Sequence, residues 1–258
     1  MFLRTISVYI YIFFISLINY IICRVINFGK FIGFYGTDKA EEYCSRIFFF
    51  LLYHSMKLLF WIKIDYRSKT TDYDISGQNI IICNHVSSFD TFAIGCIMYC
   101  YIKEYWKVKF VAYHKVLEIP IIGYIIKSLG TISIEMKETP MEVDNIYIPT
   151  SSKKMMKTCE QVLRNGYSLF IFPEGRRNHD PSRLNKLKLG PFNLSQKTGY
   201  NIQILSLHGI HNIWPAKGNP NGTGTITVTK CNNPKMFKTP EEYREQTTKL
   251  IDAKISNI

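Results

Sequence analysis

Acidic residues are scarce in this chain: 20 Asp+Glu stand against 32 Lys+Arg among 258 residues, a formal net charge of +12. That excess favours anionic partners, whether nucleic acid, anionic lipid head groups or phosphorylated substrates. Charged residues make up only 20% and apolar ones 47%, a balance that excludes both disorder and a multi-span transporter. The seven cysteines are odd in number and include no C-x-x-C pair. A disulfide framework and a zinc ribbon are thereby disfavoured, and reduced thiols facing the cytosol are the simpler reading. No G-x-S-x-G stretch is present, which counts against a serine nucleophile on an elbow. Internal repeats and a low-complexity tail are missing too. The length suits one domain, or one domain with a membrane-anchoring extension.

What the chain does have is unevenly spread. Residues 5–23 carry no charge and are bracketed by Arg4 and Arg24. Such a run, at about 1.5 Å per residue, approaches the roughly 30 Å hydrocarbon core, so a transmembrane or deeply embedded helix is expected. A cleaved signal peptide competes with this reading, but the run is long and ends at Cys23-Arg24 rather than at a small-residue cleavage site. A second apolar stretch, residues 47–64, is interrupted by His54 and Lys57 and reads as an interfacial or hairpin helix. The polar joint Gly36-Thr37-Asp38-Lys39 separates the two, and residues 1–65 are expected to form the anchor.

Beyond it, apolar strand-like runs alternate with helical patterns. Strands are expected at 79–83, 108–112, 131–134, 168–172, 202–207 and 225–229. Helices are expected at 91–102, 117–129 with Pro120 near its start, 151–165 and 241–256. This alternation indicates an α/β domain. Residues 212–224, rich in Asn, Gly and Pro, read as a surface loop.

Two strand-to-loop junctions carry candidate chemistry. After the buried run NIIIC comes Asn84-His85-Val86-Ser87-Ser88-Phe89-Asp90. If the intervening residues turn into a helix, Asp90 can hold one ring nitrogen of His85 protonated and leave the other as a base. After SLFIF comes Phe172-Pro173-Glu174-Gly175-Arg176-Arg177-Asn178. Its glycine permits close backbone approach, and two adjacent guanidinium groups suit phosphate recognition. Further positive charge follows at Arg183, Lys186 and Lys188. Alone, the first junction reads more readily as a structural or solvated loop histidine, and the second equally as a basic surface turn.

In this order and at this separation, the two segments resemble the glycerolipid acyltransferase superfamily, whose hallmarks are N-H-x-x-x-x-D and F-P-E-G-x-R blocks. The segment from His114-Lys115 to Gly130-Thr131-Ile132-Ser133-Ile134, and the stretch FPEGRRNHDPSRLNKLKLGPFNLS, are similar to that family as well, especially to its 1-acylglycerol-3-phosphate acyltransferases. The likeness covers about half the chain, residues 79–207. It implies a mixed α/β acyltransferase domain, residues 66–258, behind an N-terminal helical anchor. It also implies acyl transfer from acyl-CoA to the sn-2 hydroxyl of 1-acyl-glycerol-3-phosphate, with phosphatidic acid as product. His85 would be the general base and Asp90 its orienting partner. Lys115, Lys137, Glu174, Gly175, Arg176 and Arg177 would bind substrate, with Arg177 on the phosphate. A thioester is already activated, so no cofactor or metal is expected beyond acyl-CoA as substrate. The lipid bilayer is the expected partner, at the endoplasmic reticulum with the domain on the cytosolic face.

Three departures bear on the acceptor. Arg176 stands where the family most often has Thr, and Glu135-Met136-Lys137 replaces a usual Asp-Arg. Asn201 and Ile204 occupy places where the family carries prolines. Glycerol-3-phosphate, another lysophospholipid, or a non-catalytic membrane-binding role therefore stay open as alternatives. A metal at His208 and His211 lacks a carboxylate partner in sequence. Nucleic-acid binding lacks a recognised module. Asn193-Leu194-Ser195 and Asn221-Gly222-Thr223 fit the glycosylation pattern but would be inert in the cytosol. Cys96 and Cys100 share a helical face and read as core.

Overall fold

The computed structural model describes residues 2–68, 79–137, 146–220, 222–232 and 235–255. In chain order the elements are α1 (Phe2–Phe31), α2 (Thr37–Met56), β1 (Ile62–Ser68), β2 (Asn79–Cys83), α3 (Asp90–Tyr101), β3 (Val108–Tyr113) and α4 (Ile122–Ser128). There follow β4 (Ile132–Ile134), β5 (Met136–Lys137), β6 (Ile146–Tyr147), α5 (Pro149–Arg164), β7 (Ser168–Ile171) and α6 (Gly190–Thr198). The chain closes with β8 (Asn201–His208), α7 (Ile210–Ile213), β9 (Gly224–Lys230) and α8 (Pro240–Ile255).

Seven strands form one mixed sheet in the order β1-β9-β8-β2-β7-β3-β4. The five from β8 to β4 run parallel; β9 is antiparallel to β8 and parallel to β1. Central β2 is buried along its whole length, as a parallel strand covered on both faces must be. Its side chains alternate between two cores. Ile81 and Cys83 join α1, α2 and α3 on one face, whereas Ile80 and Ile82 join α5, α6 and α8 on the other. The result is an α/β domain of three layers with the sheet in the middle. Helices α2 and α3 come close at Gly95, where an added Cβ would lie 2.6 Å from Leu52 Cδ2.

The N-terminal layer differs from expectation in extent. α1 is 30 residues long, not 19, and has two apolar faces. Val8, Tyr11, Ile15, Asn19, Cys23 and Ile26 recur every three or four residues and are buried, while Ile10, Phe13, Phe14, Ile21, Val25 and Phe28 are exposed. α2 begins ten residues before the expected apolar run. Its first turns are polar and carry the Lys39–Glu42 and Arg46–Glu42 ion pairs, so hydropathy alone misses them. It also ends early, at Met56, and Ile62 and Ile64 belong instead to β1, which spans the boundary expected at residue 65.

The helix expected over 117–129 is split. Residues His114–Glu118 form a 3-10 turn, and α4 starts only at Ile122. Between them Ile121 adopts φ 65° and the Ile122 N–H donates to Pro120 O at 2.7 Å, a γ-turn that a β-branched residue enters only under strain. β1, β5, β6, α6 and the short α7 had no counterpart among the expected elements. The last residue of the expected C-terminal helix, Ser256, and Asn221 of one glycosylation pattern lie outside the described residues. Ser195 of the other pattern is buried in α6 and donates to Tyr200 O. Cys96 is buried as expected, but Cys100 is exposed because it lies at the end of α3 where the helix leaves the core.

Candidate active site

Strands β8, β2 and β7 are adjacent and parallel, so the loops leaving their C-terminal ends meet at one edge of the sheet, where open α/β sheets place their ligand crevices. Asn84 locks the first of these loops. Its Nδ2 donates to Leu207 O at 3.0 Å and its Oδ1 accepts from Leu207 N at 2.7 Å, so a side-chain amide continues the β2–β8 ladder by one step. His85 is thereby the first residue free to turn away from the sheet.

Asp90 opens α3 and is completely buried. Three donors converge on its Oδ2: His85 Nδ1 at 2.6 Å, Val86 N at 2.7 Å and Ser87 N at 3.0 Å. A carboxylate oxygen only accepts, so Nδ1 is the nitrogen that donates, and in the neutral imidazole Nε2 is then the one with a lone pair. The fixed positive end of α3 favours the carboxylate at this position. Phe172 stacks on the His85 ring with centroids 4.0 Å apart and planes 13° from parallel, which fixes the ring's tilt. The His85 side chain is 20% exposed, so the ring is partly open to its surroundings. This pair can take a proton from a substrate hydroxyl.

The second junction is tied to the first by backbone and side chain alike. Glu174, 2% exposed, accepts from His85 N through Oε1 at 2.8 Å and from Asn185 N through Oε2 at 3.0 Å. Burial pushes its carboxyl up to about 7, and the Asp90 charge adds to the shift, while the two backbone donors oppose it. In return His85 O accepts from Asn178 N at 2.6 Å. Arg177 is exposed, and its Nη1 donates to Ser88 Oγ, bridging the two loops over the site. Gly175 has φ 75°, and a Cβ there would collide with the Tyr147 hydroxyl.

The structure thus brings His85, Asp90, Glu174 and Arg177 into one hydrogen-bonded unit. Glu174 differs from its expected part: with both oxygens turned inward to backbone N–H groups, it holds the loops together and presents no surface to a head group. Arg176 is half-buried beside Arg177, and Lys188 places its ammonium 6.0 Å from the Tyr147 ring. Lys115 is exposed in the 3-10 turn after β3, at the same end of the sheet. Lys137 is exposed on β5, opposite Ile146. His208 Nε2 contacts Ser206 Oγ at 3.1 Å. His211 is half-buried near Asp90; desolvation lowers its pKa and the Asp90 charge partly offsets that.

Sequence reasoning assigned no part to Asn84, Ser87 or Asn185. The Asn at a strand end was a legible signal, since only a side-chain amide offers the donor and acceptor of a peptide unit. The Glu174–Asn185 contact was not legible, because it joins positions with no fixed spacing. A polar cavity of about 580 Å³ opens elsewhere, between β4, α5 and the start of α2, and contains none of these side chains. Its innermost charges, Lys109 and Glu41, neutralise each other at 2.6 Å.

Comparison with known proteins places this geometry. Residues 63–207, more than half the chain, match the model of the Acyltransferase family. Two chloroplastic 1-acyl-sn-glycerol-3-phosphate acyltransferases, from Brassica napus and Arabidopsis thaliana, are 27% and 28% identical over 136 residues. That region is 53% of this chain but only 34% and 33% of theirs. The 1-acyl-sn-glycerol-3-phosphate acyltransferase of Saccharomyces cerevisiae is 27% identical over 64% of this chain and 52% of its own. The chain therefore spans between a third and about half the length of these relatives. Among solved structures, the 1-acyl-sn-glycerophosphate acyltransferase of Thermotoga maritima superposes with a TM-score of 0.70 at 19% identity. The superposition covers 99% of this chain and 97% of that one, the same fold from end to end.

Proposed function

Because this chain belongs to the Acyltransferase family, we propose that it transfers an acyl group from acyl-CoA to the sn-2 hydroxyl of 1-acyl-glycerol-3-phosphate. The observation that carries the reading is the His85–Asp90 contact at 2.6 Å, made by a histidine whose side chain is 20% exposed. In this reading Nε2 removes the hydroxyl proton as the oxygen attacks the thioester carbonyl. Asp90 stabilises the imidazolium that forms, and CoA leaves as a thiol once the proton is returned to it. No serine nucleophile, metal or cofactor takes part. Arg177 receives the acceptor phosphate, for which a guanidinium fork is well matched, and Arg176, Lys115 and Lys137 extend the positive rim. Names of relatives that act on 1-acyl-sn-glycerol-3-phosphate support this acceptor.

The bilayer is the proposed partner. α1 is long and apolar enough to cross a membrane. One face, however, is packed on the domain from Val8 to Ile26, so a spanning pose would pull the polar start of α2 into hydrocarbon. Lying in one leaflet with its exposed aromatic and aliphatic face in the lipid satisfies both faces. Seven free thiols suit a domain on the cytosolic side, for which the endoplasmic reticulum is the proposed site.

The half-buried Arg176 beside Arg177 is the observation that favours a second acceptor of the same class. Purified protein in detergent is to be assayed for acyl-CoA-dependent CoA release on lysophosphatidic acid, glycerol-3-phosphate and lysophosphatidylcholine. Turnover chiefly on lysophosphatidic acid supports the proposal. Preference for either other acceptor replaces the substrate and keeps the base pair. No release with any of the three from folded protein favours a non-catalytic membrane-binding role.

A further inference from the structure

A side chain that belongs to neither motif links the N-terminal helix to the catalytic loop. Tyr9 on α1 sets its ring edge-on to Trp214, with centroids 6.0 Å apart and an interplanar angle of 83°. Its hydroxyl donates to Asn219 Oδ1 at 2.7 Å. The Trp214 indole N–H donates to Gly218 O at 3.0 Å, folding this loop back on itself. The indole also lies against Phe89, 6.1 Å away between centroids, and Phe89 is fully buried immediately before Asp90.

The backbone of Trp214 also grips the catalytic loop. Its carbonyl accepts the Ser87 hydroxyl, and Ser87 pairs with Pro215 in an isolated antiparallel bridge. The same Ser87 oxygen accepts from Phe89 N at 2.9 Å, and Ser87 N is one of the three donors on Asp90. Any shift of Trp214 therefore moves Ser87 and Phe89, the residues that set where the Asp90 carboxylate meets His85. A displacement of about 1 Å in such a constellation lowers turnover by about a hundredfold.

We infer that Trp214 is a positioning residue for the reaction, coupling the docking of α1 through Tyr9 to the geometry of the His85–Asp90 pair. The inference rests on the acyl transfer proposed above. It gives the N-terminal helix a second task beyond lipid contact: with α1 seated, Trp214 is held against both Tyr9 and Phe89, and the turn over residues 87–90 is held with it.

The test uses full-length protein in detergent micelles, so that partition to a bilayer limits nothing, and reads CoA release from acyl-CoA with lysophosphatidic acid. Trp214→Ala is expected to lower kcat by about ten- to a hundredfold with KM for both substrates changed less than about twofold, the signature of lost positioning rather than lost binding. Trp214→Phe, which keeps a ring against Phe89 and Tyr9, is expected to recover kcat to within about threefold of wild type. Tyr9→Ala, at an exposed position, is expected to lower kcat about three- to tenfold, and Tyr9→Phe less than that. A Trp214→Ala protein within twofold of wild type in kcat overturns the inference, and so does a loss confined to KM. Should Trp214→Ala fail to fold, Tyr9→Ala decides, and unchanged kcat there overturns the coupling. His85→Ala run alongside separates the two levels: activity surviving in that variant sinks the proposed chemistry itself, whatever Trp214 does.

Discussion

Two buried carboxylates, one at each strand-end junction, do different work with the same chemical group. Asp90 draws all its donors from its own loop, three N–H groups from residues 85 to 87 onto a single oxygen. Glu174 divides its two oxygens between His85 N in the first loop and Asn185 N farther along its own loop. The first arrangement is local and orients a ring. The second is long-range and fixes where one loop sits relative to another. In the proposed reading the first motif carries reactivity and the second carries register, with Arg177 and its neighbour Arg176 left to meet a ligand.

Breaking the local carboxylate is expected to have the largest effect. Asp90→Asn keeps the shape but turns an obligate acceptor into a group that can donate toward Nδ1, reversing the tautomer. kcat is expected to fall about a hundredfold or more with little change in KM, read by steady-state CoA release. Arg177→Ala comes next and has the opposite signature. Loss of a charge-assisted contact to phosphate raises KM for the lysophospholipid about ten- to a hundredfold and leaves KM for acyl-CoA nearly constant.

Glu174→Gln is the mildest in catalysis and the most telling in stability. It sets an amide N–H against one backbone donor, so a loss of about 1–3 kcal/mol is expected at acidic pH by thermal or urea unfolding. The pH dependence follows from the raised acid. The ordinary value of 4.5 rises to about 7 in the folded chain, so the protonated form is the one folding favours. The contribution of Glu174 is complete below pH 4.5 and is lost as the pH climbs through 7. Wild-type stability is therefore expected to decline across that window by at most about 3 kcal/mol from this group, and the Gln variant to show a flatter slope. An identical slope in both proteins would mean that Glu174 is not the titrating group.

The same contrast between local and long-range contacts explains what could be read from sequence. The His85–Asp90 pair was legible because a strand end followed by a helix start brings positions five apart together. NIIIC, with four β-branched or small apolar residues in a row, read correctly as a buried strand. Contacts between distant loops were not legible: Glu174 looked like a ligand because its partners are backbone groups that carry no sequence signal. Trp214 lay in a stretch rich in Asn, Gly and Pro and was set aside as surface loop. Residues 62–64 were absorbed into an apolar helix because a run of hydrophobics hides a change of period from 3.6 to 2. The break at Ile121 was hidden because an isoleucine gives no warning of positive φ.

The central claim is that His85, held by Asp90, is the base of an acyl transfer. It is met most directly by CoA release from acyl-CoA and lysophosphatidic acid, comparing purified wild type with His85→Ala at matched fold, checked by circular dichroism. The account predicts turnover in the wild type and a drop of about a hundredfold or more in kcat in the variant. A folded His85→Ala protein within about twofold of wild type would contradict it.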